Sequence, residues 1–198
     1  MNKLGNLIQD QWIAGNGEGT PLVHAINGKL IGHADTEGID MEGAYTFARE
    51  VGGPALRRMT FQERGRMLKR LALHLHAMKE EFYQVSWATG ATRADSWIDI
   101  EGGIGNLFAN ASLRRKLPDT PFAVDGEFVP LGRKGTFGGH HLLVPKQGVA
   151  VHINAFNFPV WGMLEKVAVN WMAGVPAIVN PATVTSFLTE HVVRAIHD

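Results

Sequence analysis

Val149-Ala-Val-His-Ile-Asn-Ala-Phe-Asn157-Phe-Pro159, followed by Trp161 to Ala173, Gly174 and Val175-Pro-Ala-Ile-Val179, changes its hydrophobic period at Asn157. Val149 to Ile153 is a short apolar run suited to a buried parallel strand, whereas Trp161, Leu164, Ala168 and Trp171 recur at helical spacing. Pro159 fits a first helical turn, where its missing N–H would have no intrahelical partner, and Gly174 suits the left-handed residue just past a helix end. A second apolar run begins at Val175. The stretch therefore reads as strand, helix and parallel strand. Such a crossover is right-handed, which puts the Asn157 turn and the turn after Val179 at one edge of the sheet. Open α/β sheets bind their ligands at that edge.

Asn154-Ala-Phe-Asn-Phe-Pro159, Lys166, Ala173-Gly174 and Asn180-Pro-Ala182 resemble the start of the cofactor domain of the aldehyde dehydrogenase superfamily. The longer string from Gly148 to Ser186 is similar to acyl-CoA-linked semialdehyde dehydrogenases of aerobic benzoate and phenylacetate degradation. The resemblance implies an α/β fold: an incomplete aldehyde-dehydrogenase-like, Rossmann-like cofactor domain preceded by small strands and helices. It makes residues 1–198 the N-terminal part of a dinucleotide-binding domain, with strands near 123–145 that project toward a partner subunit in a homo-oligomer. Members of the superfamily continue into a catalytic domain carrying a cysteine nucleophile and a glutamate base, and that domain is absent here.

The resemblance also assigns roles. Asn157 matches the amide that donates to the oxyanion formed when a thiolate attacks an aldehyde; the residues alone equally allow a helix N-cap, and one amide has atoms for both. Lys166 matches a lysine of the water and proton path serving the general base, although without the resemblance it reads as a surface lysine. Ile153, Asn154, Ala155 and Phe156 would line the route of NAD or NADP, with plain apolar packing as the alternative. Asn180 departs from the lysine usual at its position, which weakens binding of either cofactor. Thr183 stands where NAD-preferring members often carry a glutamate that repels a 2′-phosphate, so its neutral hydroxyl leans toward NADP. Turn and cap roles remain open for both.

Composition narrows the remaining possibilities. Lys plus Arg and Asp plus Glu number 19 each among 198 residues, which leaves no global field to attract nucleic acid or an anionic membrane. No apolar stretch approaches the ~18 residues that span a bilayer, and Met1-Asn-Lys-Leu-Gly lacks a signal-peptide core, so a cytoplasmic location is expected. The sequence contains no cysteine, which excludes disulfides, thiolate metal sites and a cysteine nucleophile within the chain. His74-x-His76 and His140-His141 are too poorly spaced to ligate one metal from one face of a helix or strand, and no metal is expected. Gly103-Ile-Gly105 lacks a third glycine and lies in a helical pattern, so it is no dinucleotide loop.

Upstream, strands are expected near Gln11 to Ala14, Val23 to Asn27 and Lys29 to Ala34, with Asn27-Gly28 as a two-residue hairpin signal. Met41 to Glu50 reads as a short helix. Thr60-Phe-Gln-Glu63 has capping-box spacing ahead of a helix from Phe61 to Met78. Glu80 to Thr89 gives another, and Trp97, Ile100, Ile104, Leu107, Phe108 and Ala111 define a long one despite three glycines. Extended segments follow at Glu127 to Leu131 and Thr136 to Leu143. The last helix, Val184 to His197, is amphipathic and is expected to find little to pack against. The chain as a whole reads as one incomplete domain, prone to association through open strand edges.

Overall fold

In the computed structural model, which describes residues 2–197, the crossover is present as expected: strand β7 (Ala150–Ile153), helix α6 (Pro159–Met172) and strand β8 (Ala177–Asn180). The strands pair in parallel with Ile153 opposite Asn180, and Gly174 ends the unit's helix with φ +81°. α6 covers one face of the pair. His152 and Asn154 are buried beneath it, whereas Val151 and Ile153 on the opposite face are 63% and 78% exposed. The apolar run is therefore not buried on both faces by the described residues. On α6 itself Leu164 and Ala168 are buried as the periodicity requires, while Trp161 and Trp171 are half-buried.

The core lies on the other side of α6, in a helical layer. α3 (Phe61–Ala77) and α5 (Arg93–Ser112) contact each other and α6, burying Leu68, Leu75, Ile100, Ile104 and Leu107 completely or nearly so. Each such side chain contributes about 1.5–3 kcal/mol on burial. Two of the three α5 glycines mark where α6 crosses it. A Cβ on Gly102 would lie 2.6 Å from the Trp161 ring, and one on Gly103 would lie 3.0 Å from Trp161 Cα. These glycines allow close helix packing rather than phosphate binding.

Both long helices close their own first turns. Thr60 accepts from the Glu63 amide while the Glu63 side chain accepts from the Thr60 amide, and Thr92 with Asp95 repeats the arrangement at α5. α4 (Lys79–Ser86) runs into a 3₁₀ turn ending at Gly90, whose φ of +87° favours glycine. The last helix, α7 (Ser186–His197), corrects one expectation. It packs against α3, α4 and α6, with Leu188 and Val192 fully buried.

Other boundaries differ from the sequence reading for local reasons. The expected helix over Met41 to Glu50 is α1 (Met41–Phe47), and the chain then continues through a π-helical turn at Ala48–Gly52 into α2 (Gly53–Arg58). Pro54 has no N–H to donate to Glu50, so the regular ladder cannot run through this point. β1 (Asn6–Ile8) pairs with β2 (Gln11–Ile13), and β3 (Thr20–Val23) with β4 (Leu30–Ala34). The strand expected from Val23 to Asn27 is therefore displaced toward the N-terminus. The Ala25 amide instead bonds Ala88 O at 2.9 Å, which draws this segment into a wider loop around Asn27-Gly28. β5 (Ala123–Pro130) and β6 (Gly138–Leu143) form an antiparallel hairpin that leaves Val124, Phe128 and Leu142 more than half exposed.

Candidate active site at the C-terminal edge of the parallel pair

The segment from Asn154 to Phe158 leaves the C-terminal end of β7 and is fixed at its start and its middle. The Asn154 amide donates to Asn180 O at 3.0 Å, tying its start to the end of β8. Thr185 Oγ1 donates to Phe156 O at 3.1 Å, tying its middle to the turn before α7. Pro159 occupies the first helical position as expected, and the residue before it, Phe158, is the N-cap and contributes no side-chain bond. The cap reading of Asn157 is thereby overturned. The first-turn amides of Val160 and Trp161 donate instead to the Asp99 carboxylate of α5, at 3.1 and 2.7 Å to Oδ1. Asn157 stands one residue ahead of the N-cap, is exposed, and makes no side-chain hydrogen bond among the described residues.

Asp99 is a site residue that sequence reading missed. It is 4% exposed, and burial raises its pKa to about 6 against the opposing effect of the two backbone N–H bonds. The available signal was its place on the buried face of α5, where Ser96, Asp99, Ile100 and Gly103 recur at helical spacing. A carboxylate at such a position needs donors from another element.

Lys166 is half-buried on α6. Its Nζ donates to Gly162 O at 2.7 Å and lies 3.5 Å from Glu165 Oε1. A Cβ built on Gly162 would stand 3.8 Å from Lys166 Nζ and 3.9 Å from Asn154 Cγ, so the ammonium and the buried Asn154 side chain flank one point. Both polar atoms of that amide lack a partner. Nearby, Asn170 Nδ2 lies 2.6 Å from His152 Nε2, and burial, with the Lys166 charge second, lowers the His152 pKa and favours the neutral ring. His152, Lys166, Glu165, Asn170 and Asn106 border an open hollow of about 430 Å³. Sequence reading, which took His152 as part of an apolar strand, did not anticipate this polar seam.

The remaining candidates gather at the same edge. Ile153 and Phe156 expose apolar side chains to 78% and 63%, and Ala155 is exposed between them. Asn180 and Thr183 are exposed at the end of β8, and neither side chain makes a hydrogen bond among the described residues. An exposed apolar loop, free amides and an open strand end fit a dinucleotide laid across the edge of the sheet. No group of three or more metal-ligating side chains occurs among the described residues, and no helix there is long and apolar enough to cross a membrane.

Residues 12–198 match the model of the aldehyde dehydrogenase family. The chain belongs to this family. It is 39% identical over 195 residues to 3,4-dehydroadipyl-CoA semialdehyde dehydrogenase of Aromatoleum evansii, covering 98% of this chain and 38% of that protein. The fold matches a putative aldehyde dehydrogenase from Burkholderia cenocepacia with a TM-score of 0.82 at 23% identity, over 98% of this chain and 38% of the other. It also matches 3,6-anhydro-L-galactose dehydrogenase in complex with NAP, with a TM-score of 0.80 at 16% identity, over 98% and 39%. The chain thus spans about two fifths of the length of these proteins, and its mixed helix and strand architecture is a partial Rossmann-like domain.

Proposed function

We propose that the chain is the N-terminal part of the cofactor domain of an NAD(P)-dependent semialdehyde dehydrogenase, acting on an acyl-CoA-linked aldehyde of aromatic degradation. The observation that carries this reading is the exposed Asn157 amide, set at the C-terminal edge of the parallel pair and relieved of capping by Asp99. When a thiolate attacks an aldehyde, the carbonyl electron pair moves onto oxygen. The Asn157 N–H₂ group donates to that oxygen. The thiolate must come from outside these residues, since the sequence has no cysteine. Lys166 orders water on the proton path of the general base.

Ile153, Asn154, Ala155 and Phe156 form the inner part of the cofactor bed, with Asn180 and Thr183 at its ribose end. The nicotinamide, when bound, supplies the hydride acceptor. Thr183 brings no carboxylate to repel a 2′-phosphate, so NADP is used at least as well as NAD. Asn180 brings no ammonium, which weakens both. The exposed β5–β6 hairpin is the surface by which the parent protein forms a homo-oligomer in the cytoplasm.

The test is a chimera joining this chain to the C-terminal remainder of the 39%-identical relative. Asn157→Ala and Asn157→Asp each lower kcat by ~10²-fold or more with the fold intact. Normal turnover by the aspartate variant, which keeps a capping acceptor but puts negative charge where the oxyanion forms, removes the oxyanion role. A second reading, a non-catalytic module retaining the dehydrogenase N-terminal part, is favoured for the isolated chain by its lack of cysteine.

A further inference from the structure

α6 begins in a way that leaves it unable to satisfy its own first turn. Pro159 at its first position has no N–H, and Phe158 at the cap has no side-chain acceptor. The next two amides, of Val160 and Trp161, still need partners. Val160 is 1% exposed, so water cannot serve it. Asp99 serves both, with Oδ1 accepting from Trp161 at 2.7 Å and from Val160 at 3.1 Å, and Oδ2 lying 3.3 Å from the Val160 amide. The helices come this close because Gly102 and Gly103, on the same helix as Asp99, carry no side chain against Trp161.

We propose that Asp99 is a positioning residue of the oxyanion site. Through the first turn of α6 it fixes the corner carrying Asn157 and keeps the Asn157 amide unspent. This rests on the oxyanion reading of Asn157 and extends it to a residue on another helix. The corner is held at three points: Asn154 N to Asn180 O, Thr185 Oγ1 to Phe156 O, and the Asp99 clamp. The first two bonds lie before Asn157 in the chain. Asp99 acts beyond it, so its loss leaves the corner anchored on one side, free to rotate or to recruit Asn157 as a substitute cap.

The experiment uses two variants. Asp99→Leu removes both acceptors with the same branched shape, and Asp99→Asn retains Oδ1, which takes the shorter bonds to both amides. In the chain itself, hydrogen exchange at the Val160 and Trp161 amides accelerates ~10-fold or more in Asp99→Leu, while Asp99→Asn stays near the parent rate and circular dichroism reports an intact fold in both. In the chimera, Asp99→Leu lowers kcat by ~10-fold or more with KM changed less than about twofold, and Asp99→Asn restores kcat. Unchanged exchange in Asp99→Leu overturns the clamp. Unchanged kcat in Asp99→Leu, alongside a large loss in Asn157→Ala, overturns its service to the oxyanion site while leaving the oxyanion reading standing. Unchanged kcat in both Asp99→Leu and Asn157→Ala overturns the oxyanion reading and the positioning role together. Should Asp99→Leu lose its circular dichroism, Asp99→Asn alone decides: amide protection and kcat near those of the parent support the clamp, and a loss of both overturns it.

Discussion

Helices α3 and α5 close their own N-termini with residues three apart, whereas the N-terminus of α6 is closed by a carboxylate 61 residues earlier in the chain. The local device uses up the side chains at the corner. The distant device leaves them free. At α3 and α5 the threonine and the acidic residue that follows each bond a backbone amide. At α6 the corresponding work is done from below, so the loop that arrives from β7 presents an unbonded amide at the sheet edge where ligands of α/β folds bind. The self-contained helices supply stability, and the dependent one carries the proposed site.

Dependence of the β7–α6–β8 unit on residues elsewhere should be most visible in chemistry. The unit has an oxyanion donor and a cofactor bed in the proposed reading, but no nucleophile, because the 198 residues contain no cysteine. The isolated chain is therefore expected to produce no NADH or NADPH from C6 to C8 semialdehydes or simple aldehydes, as followed by absorbance against a protein-free blank. Cofactor reduction clearly above that blank would mean that another group in this chain starts the reaction, and the division of labour argued above would fail.

The next effect in size belongs to the distant cap. The Asp99 pKa is raised from 3.8 to about 6, with burial outweighing the two N–H bonds that pull it down and no charged neighbour among the causes. Of the charged groups on the packed helices, Lys79 pairs with Glu101 and Lys166 lies beside Glu165. A folded-state pKa above the unfolded one means that the folded protein holds this proton more tightly. The associated stability is full below the unfolded value and is lost as pH rises through the folded one, with a limit of about 3 kcal/mol. Relative to Asp99→Asn, the parent chain should therefore lose stability between pH 4 and pH 7, as measured by urea unfolding at each pH. A difference independent of pH would show that Asp99 is not desolvated and that its cap resembles the local ones after all.

Legibility in the sequence follows the same division. The capping box at Thr60 depends on a partner three residues away, and Pro159 and Gly174 announce local backbone requirements; such features are readable without a fold. The place of Asn157 at the sheet edge was readable too, because the change of hydrophobic period and the right-handed crossover rule determine it together. Asp99 was readable only as a carboxylate on the buried face of its helix; the donors it serves were not, since they lie on another helix 61 residues away. The same reason hid the polar seam of His152, Asn154 and Asn170, where alternate strand positions meet a helix rather than solvent. It also hid the packing of α7, which is settled by α3, α4 and α6 and not by its own amphipathic pattern. The family resemblance supplied roles for Asn157 and Lys166 that residue type alone leaves open.

The smallest effects separate the two kinds of helix start most directly. Thr92→Ala removes the acceptor for the Asp95 amide, and Thr60→Ala removes the equivalent at α3, so each should lower stability by about 1 kcal/mol. Asn157→Ala removes an exposed amide with no hydrogen bond among the described residues and should change stability by less than about 0.5 kcal/mol. Urea midpoints of the three variants, compared at a common slope, measure the contrast, because a shift in midpoint without a change in slope is a change in stability alone. Equal losses in all three would place Asn157 among the ordinary caps. A loss confined to the threonine variants, with Asn157→Ala folding as well as the parent, is the outcome required of a residue held in position by others and left free to act on a ligand.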